Sequence, residues 1–189
     1  MQMKNNILAL FVGVLLIPST SSAQDLKTII RQMPDSILPT LSKNNVLDFV
    51  DYKDSNMKAV VTNNLGGKSE MTELTDSYAF IRTSANSDVQ IKLLPLADSQ
   101  IISLIRSVSC DTIKTDSQIE FYTTDWKPLN ASDYFTFSDT TNFAHYIQNA
   151  SDTSLTIRFI NPLELDEKAK PRESITLKWN GKKYEEGEK

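Results

Sequence analysis

Residues Asn63 to Met71 read NNLGGKSEM, and Gly67-Lys68-Ser69 matches the end of a phosphate-cradling loop. The complete loop is Gly-x-x-x-x-Gly-Lys-Ser/Thr, set between a strand and a helix of a parallel α/β unit. Its first glycine would have to stand at position 62, where the chain has Thr62. The residues that follow, SEMTELTDSYAF, lead toward antiparallel strands and away from a helix. The stretch therefore reads as a Gly-Gly turn with Lys68 in solvent, and no nucleotide partner is expected.

Other reactive residues are few. Cys110 is the only cysteine and His145 the only histidine. One thiol makes no internal disulfide, and one histidine excludes multi-histidine and four-cysteine metal centres within a single chain. A thiolate or serine nucleophile would have only His145 as its histidine base, and neither Cys110 nor His145 lies in a recognised nucleophile signature. Asp48, Asp51 and Asp54 fall at every third position, a carboxylate stripe along a helix. A calcium loop instead needs acids at alternate positions and a central glycine. The stripe reads as a solvated face beside Lys53, so no metal and no cofactor are expected. Between residues 121 and 146 aromatic side chains gather, and Tyr122, Trp126 and Tyr134 are the candidates to line a groove for a glycan or peptide. The same residues serve equally as core and hairpin packing. Glu120, Asp125 and Asp133 lie near Trp126 and are the acids that a two-carboxylate glycoside hydrolysis would draw on.

The elements that must position these residues follow from periodicity. The chain begins with Lys4, an uncharged apolar run from Ile7 to Ile17, Pro18, and then Ser21-Ser22-Ala23. That is the pattern of a cleaved secretory leader over residues 1–23, and the run is too short for the roughly 20 residues of a membrane span. No later stretch is apolar enough to cross a bilayer as a helix, so no transmembrane segment is expected after cleavage. Leu26, Ile29, Ile30 and Met33 recur at helical spacing before Pro34. Ser42 caps a further helix with Val46, Leu47, Phe49 and Val50 on its apolar side. Period-two alternation then marks Val89 to Leu93, Ile119 to Phe121, Leu155 to Phe159 and Ile175 to Trp179. Ser77 to Thr83 and Ile101 to Val108 read as further strands, Thr140 to Ala150 as a short helix, and the tail beyond Asn180-Gly181 as a fraying end. Helices first and adjacent strands afterwards predict one α+β domain over residues 24–189. Short N-terminal helices would pack on one face of a mainly antiparallel sheet.

The segments RQMPDSILPTLSKNNVLDFVDY, NNLGGKSEMTELTDSYAFI, VQIKLLPL, EFYTTDWKPL and TLKWNGKKYE together resemble a family of uncharacterised exported proteins from Bacteroides and relatives. The resemblance spans Arg31 to Tyr184 and implies a Gram-negative envelope setting. It assigns no catalytic residue. The net charge of −4, with both signs interspersed, disfavours nucleic acid as a partner. The expected function is a non-enzymatic binding or protein-interaction domain, periplasmic or secreted, with an envelope protein or a glycan as partner. The alternative is the carboxylate-dependent hydrolase of glycans or peptidoglycan.

Overall fold

The structure, a computed structural model, describes residues 24–110, 113–137, 143–160 and 173–186. The expected leader lies outside these residues. Two helices open the fold, α1 (Leu26–Arg31) and α2 (Lys43–Asp54). Asp25 caps α1 by accepting the Thr28 N–H at 2.7 Å, and Ser42 and Asn45 form a reciprocal capping box on α2. Lys43 donates to the Arg31 and Met33 carbonyls, meeting orphan acceptors at the end of α1. The expected acidic stripe is partly used here: Asp51 pairs with Arg31 at 2.7 Å and Asp54 with Lys27 at 2.7 Å, joining the two helices.

Seven strands then form one antiparallel sheet in chain order: β1 (Ala59–Thr62), β2 (Lys68–Leu74), β3 (Tyr78–Ser84), β4 (Ser87–Pro95), β5 (Gln100–Cys110), β6 (Ile113–Thr123) and β7 (Pro128–Leu129). A 3-10 turn at Ala131–Asp133 leads to a second antiparallel sheet. Its strands are β8 (Phe143–Gln148), β9 (Ser154–Ile160), β10 (Ile175–Trp179) and β11 (Tyr184–Glu186), in spatial order β11-β10-β9-β8. One face of the large sheet, with Ala59, Val61, Met71, Ile81, Ile91 and Leu104, shares a core with the apolar sides of α1 and α2. On the opposite face, Ile101, Ile105, Ile119 and Phe121 pack against Leu155, Ile157, Leu177 and Trp179 of the second sheet.

This overturns the α+β expectation. Strands in two packed antiparallel sheets carry the fold, and helix among the described residues amounts to α1, α2 and the 3-10 turn. The error has a physical origin in β4. Gln90 and Lys92 alternate with Val89, Ile91 and Leu93, which reads as a strand with one solvated face. Both polar side chains are in fact buried. Gln90 donates its amide N–H to the Tyr146 carbonyl at 3.1 Å and accepts the Gln148 N–H at 2.9 Å. Lys92 donates to the Ala150 carbonyl at 2.9 Å. These bonds bind the edge of the second sheet to the first. The helix expected over Thr140 to Ala150 is instead β8 across its described part. The tail turns at Asn180-Gly181, as that pair suggests, with φ +91° at Gly181, but in place of fraying it returns as β11 with Tyr184 buried.

Two outcomes test this account. Gln90→Leu keeps size but leaves the Tyr146 carbonyl and the Gln148 N–H without the partner they have here. It should cost about 2–4 kcal/mol, read from the shift in urea midpoint. A change within about 0.5 kcal/mol would show that the seam does not depend on this amide. The second outcome concerns acid. The Thr28 backbone N–H holds the Asp25 carboxyl below its usual range, and the Lys27 ammonium does the same for Asp54. A carboxyl depressed in the folded state stabilises above its unfolded pKa and loses that contribution as pH falls. Hydrogen-exchange protection of α1 should therefore drop as pH falls below about 4, while that of β5 stays unchanged.

Candidate functional site

The Gly-Gly-Lys-Ser stretch is the turn between β1 and β2. Gly66 has φ +78°, a left-handed conformation that suits glycine. Asn63 organises the turn: its Oδ1 accepts the Leu65 and Gly67 N–H groups, both at 3.0 Å, and its Nδ2 donates to Ser69 Oγ and the Thr83 carbonyl. Ser69 Oγ in turn donates to the Thr83 carbonyl at 2.7 Å. The amides that a phosphate cradle would offer are thus spent inside the turn, and Ser69 is buried. Lys68 is exposed to solvent.

The three aromatic candidates do not line one groove. Tyr122 and Trp126 stand on the helix side of the sheet, their ring centroids 5.9 Å apart. Trp126 is buried and its Nε1–H donates to the Ile29 carbonyl of α1 at 2.9 Å. Its φ of +61° is a strained value for a bulky residue, retained because burial and this bond fix the side chain. Tyr122 donates its hydroxyl to Glu120 at 2.8 Å, and burial followed by that bond pushes its pKa up. Tyr134 belongs to the other core, 5.2 Å from the Phe121 ring and stacked on Trp179 at 6.3 Å. Its carbonyl accepts the Tyr184 N–H, which satisfies part of the β11 edge.

The acids near Trp126 are also dispersed. Glu120 accepts from Arg106 Nε at 3.3 Å and from Tyr122 on the helix side. Asp125 is exposed in the β6–β7 connection, and Asp133 is exposed in the 3-10 turn, bonded to Asn130. His145 is buried in β8 opposite Arg158, and the Cys110 side chain lies outside the described residues, so the pair cannot be placed. Among the described residues no cluster of three or more His, Cys, Asp or Glu forms a metal site, and no helix is long and apolar enough to cross a membrane.

A different surface emerges from the sheet register. Val60, Glu70 and Arg82 are neighbours across β1, β2 and β3, and Thr62 stands opposite Lys68. These residues share the face that the second sheet covers over β4 to β6. On β1 to β3 it is open, with Thr62, Lys68 and Arg82 exposed and Val60, Glu70 and Phe80 half-buried. A depression of about 460 Å³ lies here, floored by Val60 and rimmed by Lys58, Lys68, Glu70 and Arg82. Sequence reading missed it because Lys58, Val60 and Thr62 form too short an alternation to mark a strand. Only the Lys68, Glu70 and Thr72 alternation hints at it.

If Trp126 is an internal anchor, Trp126→Phe should cost about 1–3 kcal/mol, because the Ile29 carbonyl loses its buried donor and the smaller ring leaves a gap. Trp126→Ala should cost about 3–5 kcal/mol. A surface residue waiting for a ligand would change stability by less than about 0.5 kcal/mol on either substitution. Chemical denaturation separates the two.

Comparison with known proteins places this architecture among others. No curated protein matches the chain. A solved structure, described as a domain of an uncharacterized protein from Porphyromonas gingivalis W83, superposes with a TM-score of 0.71 at 20% identity. The match covers 88% of this chain and 99% of that one. At that identity the similarity shows a shared fold. Residues 19–166 match the family model described as "Protein of unknown function (DUF3256)". The chain belongs to the DUF3256 family.

Proposed function

We propose that the chain is a non-catalytic binding or protein-interaction domain that works outside the cytoplasm, with the open face of β1 to β3 as its contact surface. One observation carries the reading: the large sheet extends three strands beyond the cover of the second sheet, and its uncovered face holds the depression between Val60 and Arg82. A sheet face left open in this way is a usable surface for a partner. The dispersal of Glu120, Asp125 and Asp133 favours binding over two-carboxylate hydrolysis. Export is supported by the leader pattern of Lys4, Ile7 to Ile17 and Ser21-Ser22-Ala23.

Two measurements test the reading. Envelope fractionation of the native host with N-terminal sequencing should find the chain outside the cytoplasm and starting at Gln24. An uncleaved cytoplasmic chain would sink the export half. Acetylation footprinting should find Lys58 and Lys68 protected in intact cells relative to purified protein, with Lys182 and Lys183 equally reactive in both. Equal reactivity at all four would remove the open face as a contact surface.

A further inference from the structure

The charges around the depression are unbalanced. Lys58, Lys68 and Arg82 rim the depression, and Glu70 is the carboxylate among its lining residues. Glu70 leans toward Lys58 in a loose 3.7 Å contact. Lys68 and Arg82 form no ion pair among the described residues. Asp88, opposite Arg82 on β4, is buried. Glu73, beside Phe80 further along β2, and Asp88 bring the whole face near balance, so the cation excess is confined to the depression, on a chain whose net charge is −4. Elsewhere the exposed cations of the N-terminal half are paired: Lys27 and Arg31 hold Asp51 and Asp54.

The shape of the surface narrows the occupant. The depression is open, and its lining residues include no aromatic ring on which a sugar would stack. It runs beside β1, which is the edge of the large sheet, so an extended chain lying there follows an edge strand. In an extended segment, side chains on one face recur about every 7 Å, a spacing that lets successive carboxylates reach separate cations. Arg82 offers a planar fork matched to a carboxylate, and Lys58 and Lys68 offer mobile point charges at the two ends of β1.

We propose that this face docks an extended acidic segment of a partner polypeptide along β1, with its carboxylates on Lys58, Lys68 and Arg82. The proposal rests on the open face being the contact surface. The net acidic remainder of the molecule repels such a segment, which confines it to this face.

The test uses the full-length processed protein and a dye-labelled oligoglutamate peptide, followed by fluorescence anisotropy. Binding should be measurable at low salt and weaken as salt rises from roughly 30 to 300 mM, because exposed charges are screened over that range. The double variant K68E/R82E should bind about tenfold more weakly or worse. The double variant K182E/K183E, away from this face, should bind as the parent does. If the charge reversals perturb folding, K68Q/R82Q serves, with an unchanged thermal midpoint as the control and the same weakening expected. No binding at low salt overturns the proposal, as does equal binding by K68E/R82E. Full competition by millimolar inorganic phosphate also overturns it, because the face would then be a small-anion site. Protection of Lys58 and Lys68 in cells without oligoglutamate binding leaves the contact surface standing and removes the acidic segment. Absence of that protection removes both.

Discussion

The architecture depends on how the second sheet ends. β8 is its edge strand, and an edge strand carries backbone groups that need partners. A third sheet strand does not supply them. The Gln90 side chain does, because a primary amide carries a donor and an acceptor at spacing close to that of a peptide group. It bonds the Tyr146 carbonyl and the Gln148 N–H, the two groups that a neighbouring strand would engage. Gln148 in turn donates to Ser103 on β5, and Lys92 donates to the Ala150 carbonyl just past β8. Polar contacts thus fix the seam, and the apolar packing of Phe121, Leu155, Leu177 and Trp179 closes behind it. At the far side Trp179 donates to the Pro95 carbonyl at 2.6 Å, tying β10 to the end of β4.

That seam also decides which part of the large sheet stays open to solvent. By seating β8 over β4 to β6, it consumes the polar groups of those strands and stops short of β1 to β3. The aromatic segment around Trp126, which sequence composition singles out, is drawn inside on both faces of the large sheet. Trp126 holds α1, and Tyr134 bridges Phe121 and Trp179. The residues left facing solvent on a concave surface are charged ones from short, sequence-weak strands.

Local chemistry was legible where local chemistry decides structure. Ser42 caps the helix that its position announces, Pro34 follows the end of α1, and Gly66 makes the turn expected of a Gly-Gly pair. The strands β4, β6, β9 and β10 follow from their alternation, and β3 and β5 lie where further strands are read. What failed was inference about layers. Phe143, Ala144, Tyr146 and Ile147 fall at spacings that suit a helix, yet the pairing of β8 with β9 makes them a strand. Such short mixed runs are settled by partners distant in sequence. β11 was missed for the same reason: three residues with one buried tyrosine carry no periodicity, and only pairing with β10 orders them. The candidate site left only the Lys68, Glu70 and Thr72 alternation as a trace, since it exists through the register of three strands and the place where a second sheet ends.

The deeper ambiguity is that alternation does not say what a polar residue is for. Gln90 and Lys92 on β4 and Lys68 and Arg82 on β2 and β3 sit in the same pattern of apolar and polar positions. Their fates separate on hydrogen-bond accounting. The Gln90 amide meets one carbonyl and one N–H, so its burial costs little. The Lys92 ammonium meets the Ala150 carbonyl and the Tyr78 ring, which offset part of the desolvation that lowers its pKa, so both become structure. No backbone edge reaches Lys68 or Arg82, and burying either charge without a partner would be costly, so the fold leaves them in water. A polar residue satisfied by the chain's own backbone holds the layers together. A cation that the described residues leave unpaired, gathered with others of its sign around a depression, keeps its electrostatic capacity for something outside the chain. By that criterion β4 is scaffold, and β1 to β3 carry the surface proposed to meet a partner.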